Sequence, residues 1–254
     1  MFFGIDLNQI FIFPFKDADS RKHFLIGCLV SLSAFIIPIL PFFVLYGYAI
    51  RIVKQIMNNE SPHMVAWDDW GGMVRDGAKM FGIRIIYSIP IMILAAPLFI
   101  SMFIMPFFMS EANSSELNVL FPIFMTIIFG TLCILIPISF ALAFIIPAAE
   151  MYVVDKDEFA AGFRIREWWA IFRANLSGFI AAFAIYYLST MVLSLVLQII
   201  GATLIFACLI PFLLPAITMY SVLIMYATIA QAYKVGKEKL AQVEITPIVS
   251  NSSS

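Results

Sequence analysis

Most hydrophobic positions in this chain do not alternate with polar ones; they form long runs. Phe24–Ile50, Ile85–Met109, Val119–Ala149 and Leu176–Tyr233 contain no charged residue. About 20 apolar residues suffice to cross a bilayer, so each run predicts at least one membrane helix. The last is too long for one span and awkward for three, and two helices with a tight turn near Gly201 fit it best. The expected fold is an all-α polytopic transmembrane helical bundle forming a single domain over residues 1–254. It has four firm spans, a first run of open topology, an interfacial N-terminal segment (1–23) and a mobile polar tail (240–254).

The first run can cross or turn back. Pro38 and Pro41 stand near its middle, in "IIPILPFF". Two prolines three apart interrupt the helical hydrogen-bond ladder and favour a turn. Each half is then too short to span and suits a re-entrant hairpin, whose backbone needs cover at the tip. A kinked full span remains the alternative. The expectation adopted is a hairpin reversing near Ile39, with Asp19 and Glu60 on one side. Pro211 and Pro215, in "IPFLLPA", are the other candidate helix break. Gly178, Ala181 and Ala182 offer a small-residue face for close helix packing.

Basic residues give the sidedness. The loops Ser110–Asn118 and around Gly201 carry no Lys or Arg. The positive-inside rule places both outside and the C-terminus in the cytoplasm, as in a multi-pass cell-membrane protein. A hairpin would gather all 15 Lys and Arg on the cytoplasmic side.

Composition agrees with the runs. Of 254 residues, 63% are hydrophobic and 12% charged, against about 25% charged in ordinary globular proteins. The net charge of −1, with no basic tract, points away from nucleic acid. Cys28, Cys133 and Cys208 are isolated inside apolar runs and read as small buried hydrophobes. The N-terminus has no basic region before its apolar residues, unlike a secretory signal.

Three segments, "FPFKDADSRKHFLIG", "IPILPFFVLYGYAIRIVKQIMNNE" and "WDDWGGMVRDGAKMF", follow one another in the first hundred residues. Together they resemble a family of prokaryotic membrane proteins known as domain of unknown function 4013. The pattern GYxxRxxxxxxxxE (Gly47–Glu60) and the WDDW of Trp67–Trp70 are the most specific pieces. Ser20 and Pro41 depart from the pattern. The resemblance implies class and prokaryotic origin, and no activity.

The polar stretches remain. Trp67, Trp70, Val74 and Phe81 recur at helical spacing opposite Asp68, Asp69, Arg75, Asp76 and Lys79. That predicts an amphipathic helix lying in the interface on the cytoplasmic side, with its acids near the helix start. A paired-carboxylate site is the rival reading, and only His63 is nearby to join it. "EFAAGFRIREWWAIFRAN" repeats the design, with Trp168 and Trp169 as further anchors. Arg75, Lys79, Arg164, Arg166 and Arg173 are candidates for anionic lipid headgroups or a partner. No ionisable residue lies deep in an apolar run, which argues against proton-coupled transport and intramembrane hydrolysis. No catalytic, cofactor-binding or metal-binding residue is assigned. The function expected is non-enzymatic: a scaffold or accessory subunit contacting membrane lipids, other membrane proteins or a second copy. The alternative is a channel or carrier for an uncharged or apolar solute, lined by polar residues such as Tyr186, Ser189, Thr190 and Thr218.

Overall fold

In a membrane interior a helix is the way a single segment can satisfy its own backbone. The computed structural model describes residues 3–111, 113–203 and 206–250, and among these it has helices and no strand. The α-helices are α1 (Leu7–Ile12), α2 (Ala18–Leu32), α3 (Leu40–Met57) and α4 (Trp70–Glu111). They are followed by α5 (Ser114–Lys156), α6 (Ile165–Ala174), α7 (Leu176–Ala202) and α8 (Ile210–Ser250). Of these, α3, α4, α5, α7 and α8 are long and apolar enough to cross a membrane.

The first apolar run is two helices. α2 passes through a 3-10 turn at Ser33–Phe35, and α3 begins only at Leu40. Pro41 lies in the first turn of α3, where a missing N–H costs nothing. The chain reverses across this break. The Trp67 indole Nε1–H donates to the His23 carbonyl on α2 at 2.9 Å and its ring stacks on Tyr48 of α3 at 4.0 Å.

Other prolines behave differently. α4 continues through Pro90, Pro97 and Pro106. At the second expected break, Thr203 caps α7, and the interruption falls before Ile210. Pro211 therefore stands in the first turn of α8 and Pro215 inside it; neither breaks a helix. α8 also runs past residue 240 into the expected tail, because "KVGKEKLAQ" is rich in helix formers. Residues 251–254 lie outside the described residues.

The chain divides into two compact units, Met1–Ile83 with Pro147–Ser254, and Arg84–Ile146. In the first, α8 is the hub, packing against α1, α2, α3, α6 and α7. The N-terminal segment belongs to this core. Ile5 and Ile10 are fully buried, and the Asp6 N–H donates to Gln231 Oε1 at 2.8 Å. Ala181 and Ala182 of α7 are buried on the small-residue face that the sequence suggested. α3 and α4 meet backbone to backbone. A Cβ on Gly47 would strike the carbonyl of Met73, and one on Gly77 that of Phe43.

The second unit is a helical hairpin made from the later part of α4 and the earlier part of α5. Phe108 and Phe124 face each other at 6.3 Å, and Ala95, Ser101 and Leu135 are buried. Its turn is fixed by a capping box. The Glu116 N–H donates to Asn113 Oδ1 at 3.1 Å, and the Asn113 N–H donates back to Glu116 Oε2 at 3.0 Å. Asn113→Ala is expected to cost about 1 kcal/mol at this helix start, seen as faster amide exchange at Glu116. The thiols of Cys133 and Cys208, expected to be buried, are exposed on apolar surface.

Candidate functional site

The polar side chains of the first unit gather where helices begin and end. Asp69 caps α4: its Oδ1 accepts from the Gly72 N–H at 2.9 Å, and its other oxygen pairs with Arg51 of α3. The backbone amide and the guanidinium hold the Asp69 carboxyl below its ordinary 3.8. A depressed acid stabilises the fold above its unfolded pKa and loses that contribution as pH falls through the folded value. Acidification below about pH 3.8 is therefore expected to free the α4 start, read as faster exchange of the Gly72 amide; Asp69→Asn should remove the effect.

One turn on, Lys54 and Lys79 converge on Asp76 and Asp157. Lys79 Nζ lies 3.2 Å from Asp157 and 3.8 Å from Asp76, and Lys54 Nζ 3.8 Å and 4.0 Å from the same two. The two lysines likewise hold the Asp157 carboxyl low. Asp76 is buried, and its Oδ1 has ion partners at 3.7 and 3.8 Å without a hydrogen bond. The space left among Lys54, Asp76, Lys79, Met80 and Asp157 is about 10 Å³, the least that holds one water. The acids and bases here occupy one another.

A second polar group joins α5, α6 and α8. Lys237 reaches Asp155 at 2.7 Å, and the Tyr233 hydroxyl donates to the same carboxylate at 3.2 Å. The Tyr152 hydroxyl donates to Glu167. Asn175, buried at the α6–α7 junction, donates to the Ala232 carbonyl at 2.9 Å and accepts from Lys239 at 2.8 Å. Glu150 is fully buried and accepts from the Tyr226 hydroxyl at 3.3 Å. The sequence reading missed Asn175 and Glu150. Glu150 follows the last apolar residue of its run, so hydropathy alone assigns it to the water side.

The tryptophan anchors divide. Trp67 and Trp168 are buried, the latter 1% exposed, with its Nε1–H on the Gly162 carbonyl at 3.0 Å. Their indole N–H groups serve the interior rather than the headgroup layer. Trp70 and Trp169 are exposed, at 45% and 37%. Phe81 is half-buried against Phe43 at 4.9 Å. Of the expected helix Trp67–Phe81, Trp67 lies in the loop before α4 and Asp69 caps it, while Trp70–Phe81 are the opening turns of α4, which has no break before the apolar run. α6 is a separate helix, with Trp168, Ile171 and Phe172 buried.

Among the candidate headgroup contacts, Lys79 is engaged as described. Arg164 pairs with Glu158 at 2.6 Å and Arg75 lies 3.7 Å from Asp76. Arg166 and Arg173 are exposed and form no ion pair among the described residues. His63 is held by Gln55, which accepts from its backbone N–H at 2.9 Å. Among the described residues no three His, Cys, Asp or Glu side chains gather as a metal site.

Residues 30–206 match the model of a family described as "Protein of unknown function (DUF4013)". No curated protein and no solved structure matches this chain.

Proposed function

The chain belongs to the DUF4013 family, and from that premise we propose that it is a non-enzymatic multi-pass membrane protein serving as a scaffold or accessory subunit. Its ligands on this reading are lipid and neighbouring membrane proteins. The carrying observation is the outer surface of α4 and α5. In the most apolar windows of these helices only 11% and 6% of residues are buried. A helix that is apolar all round is covered by lipid or by other helices. The hydroxyls that could line a solute path favour this reading over a carrier. Ser189 donates to the Ile185 carbonyl, Thr190 to Tyr186 and Thr218 to Leu214, each within its own helix.

In this reading the loop Ser110–Asn118 is external and the C-terminus cytoplasmic. Reversal of the first run places its flanking basic residues together, in keeping with the positive-inside rule. Exposed Arg166 and Arg173 on α6 are then available to anionic headgroups, at about 1 kcal/mol each.

The test is isolation of the full chain with its surrounding membrane, without detergent, followed by native mass spectrometry. A stoichiometric membrane-protein partner or a retained anionic lipid set is expected. Recovery of bare single copies that conduct a solute after reconstitution would overturn the proposal in favour of a carrier.

A further inference from the structure

The α2–α3 hairpin ends in a tip that no described residue covers. Leu29, Phe35, Ile37 and Ile39 are all more than half exposed, and Ile36 is 85% exposed. The flanks, by contrast, are anchored. The Phe24 ring lies 6.4 Å from Tyr220 of α8, and Gly27 faces the Met219 side chain. Charge marks the base of the hairpin. Asp17, Asp19, Arg21 and Lys22 are exposed at the start of α2, Arg51 and Lys54 stand near the end of α3, and no charged residue lies between.

Part of the tip backbone is satisfied within the tip itself. Ile36 and Ile37 both donate to the Ser33 carbonyl at 2.9 Å, and Phe42 donates to Ile39 at 3.1 Å. Pro38 and Pro41 have no N–H to satisfy. The two prolines thus turn the chain and delete donors that hydrocarbon cannot accept from.

Length sets the depth. From Phe24, the first residue past the charges, to Leu32 is about 12 Å of helix. One leaflet of a hydrocarbon core about 30 Å thick is about 15 Å.

We propose that the α2–α3 hairpin is a one-leaflet wedge, inserted among the acyl chains of the leaflet that carries its charged base and ending near the bilayer midplane. Its ligand is the lipid acyl layer; the tip side chains offer bulk and no polar group. The inference rests on the membrane-embedded reading above and adds an asymmetry to it: the wedge enlarges the protein's cross-section in one leaflet alone.

The test uses the full chain with Cys28, Cys133 and Cys208 replaced by Ala, Ile36→Cys carrying an environment-sensitive fluorophore, and phosphatidylcholine vesicles. Spin-labelled lipids quench from near the headgroup, from mid-chain or from the chain end. Leu188→Cys, on the exposed surface of α7, is the control. The mid-chain or chain-end label is expected to quench Ile36→Cys most strongly and a headgroup-level label least, with no reaction toward impermeant thiol reagents on either side. Leu29→Cys, on α2 nearer the base, should be quenched at shallower depth. Reaction of Ile36→Cys from the side opposite Asp19 would overturn the wedge in favour of a full span. Absence of quenching at Ile36→Cys while Leu188→Cys is quenched would overturn it in favour of a protein cover. Absence of quenching at both would overturn the membrane-embedded reading itself.

Discussion

Gly77→Ala is expected to destabilise the protein by about 2–3 kcal/mol, while Gly71→Ala, on the same helix, leaves stability unchanged or raises it. The contrast isolates a single contact. Ala is the better helix former by roughly 1 kcal/mol, so propensity favours both changes. Around Gly71 an added methyl meets nothing within 4 Å. On Gly77 it drives into the Phe43 carbonyl, a backbone atom that cannot swing aside. α3 and α4 must then separate, and the Phe43–Phe81 ring contact at 4.9 Å goes with them. Unfolding in detergent micelles, followed through tryptophan emission, measures both variants. Equal stabilities for the two would show that the helices do not meet at Gly77.

Trp67→Ala should cost about 3–5 kcal/mol, and Trp70→Ala within about 0.5 kcal/mol of nothing, as for ordinary surface changes. The two indoles are three residues apart and 5.5 Å from each other, yet they have different roles. Trp67 stacks on Tyr48 and ties the loop to α2 through the His23 carbonyl, so its loss opens a cavity and cuts that tie. The Tyr48 hydroxyl in turn donates to the Val65 carbonyl at 2.9 Å and accepts from the Val65 N–H at 3.0 Å, so the loop loses register as well. Trp67→Phe, keeping the ring contact and losing the N–H donor, should recover most of the loss. The same unfolding measurement decides, and a Trp70→Ala penalty as large as that of Trp67→Ala would assign both indoles to the core.

The sequence carried the runs but not the roles of the residues between them. Hydropathy sees the lack of charge in Leu176–Tyr233, and physics then requires helices, so α7 and α8 with a turn just past Gly201 are legible. Prolines are read less surely. Pro38 and Pro41 mark a real interruption because α3 starts there with no donor needed. Pro90, Pro97 and Pro106 look alike in sequence, yet α4 passes through them. Which outcome obtains depends on what the neighbouring backbone can accept, and that is a tertiary fact. The WDDW stretch shows a similar limit. Helical spacing put Trp67 and Trp70 on one face, which is consistent with an interfacial helix. Spacing is blind to a partner 44 residues away in sequence, such as His23. The ion pairs of Lys79 with Asp157, 78 residues distant, hide in the same manner.

The hub position of α8 has a consequence for synthesis. The ribosome makes this helix after α1, α2, α3, α6 and α7, all of which pack on it. Until α8 emerges, Gly27 has no Met219, Asp6 no Gln231 and Asn175 no Ala232 carbonyl. Helices made earlier keep the faces that α8 will cover, such as those at Gly27 and Asn175, without their final partners. The core of the first unit is then complete only once α8 is made, so a ribosome that stalls before Ile210 leaves a chain that lacks these contacts. A defect in the tip of the α4–α5 hairpin, by contrast, lies in the other unit and touches none of these α8 contacts.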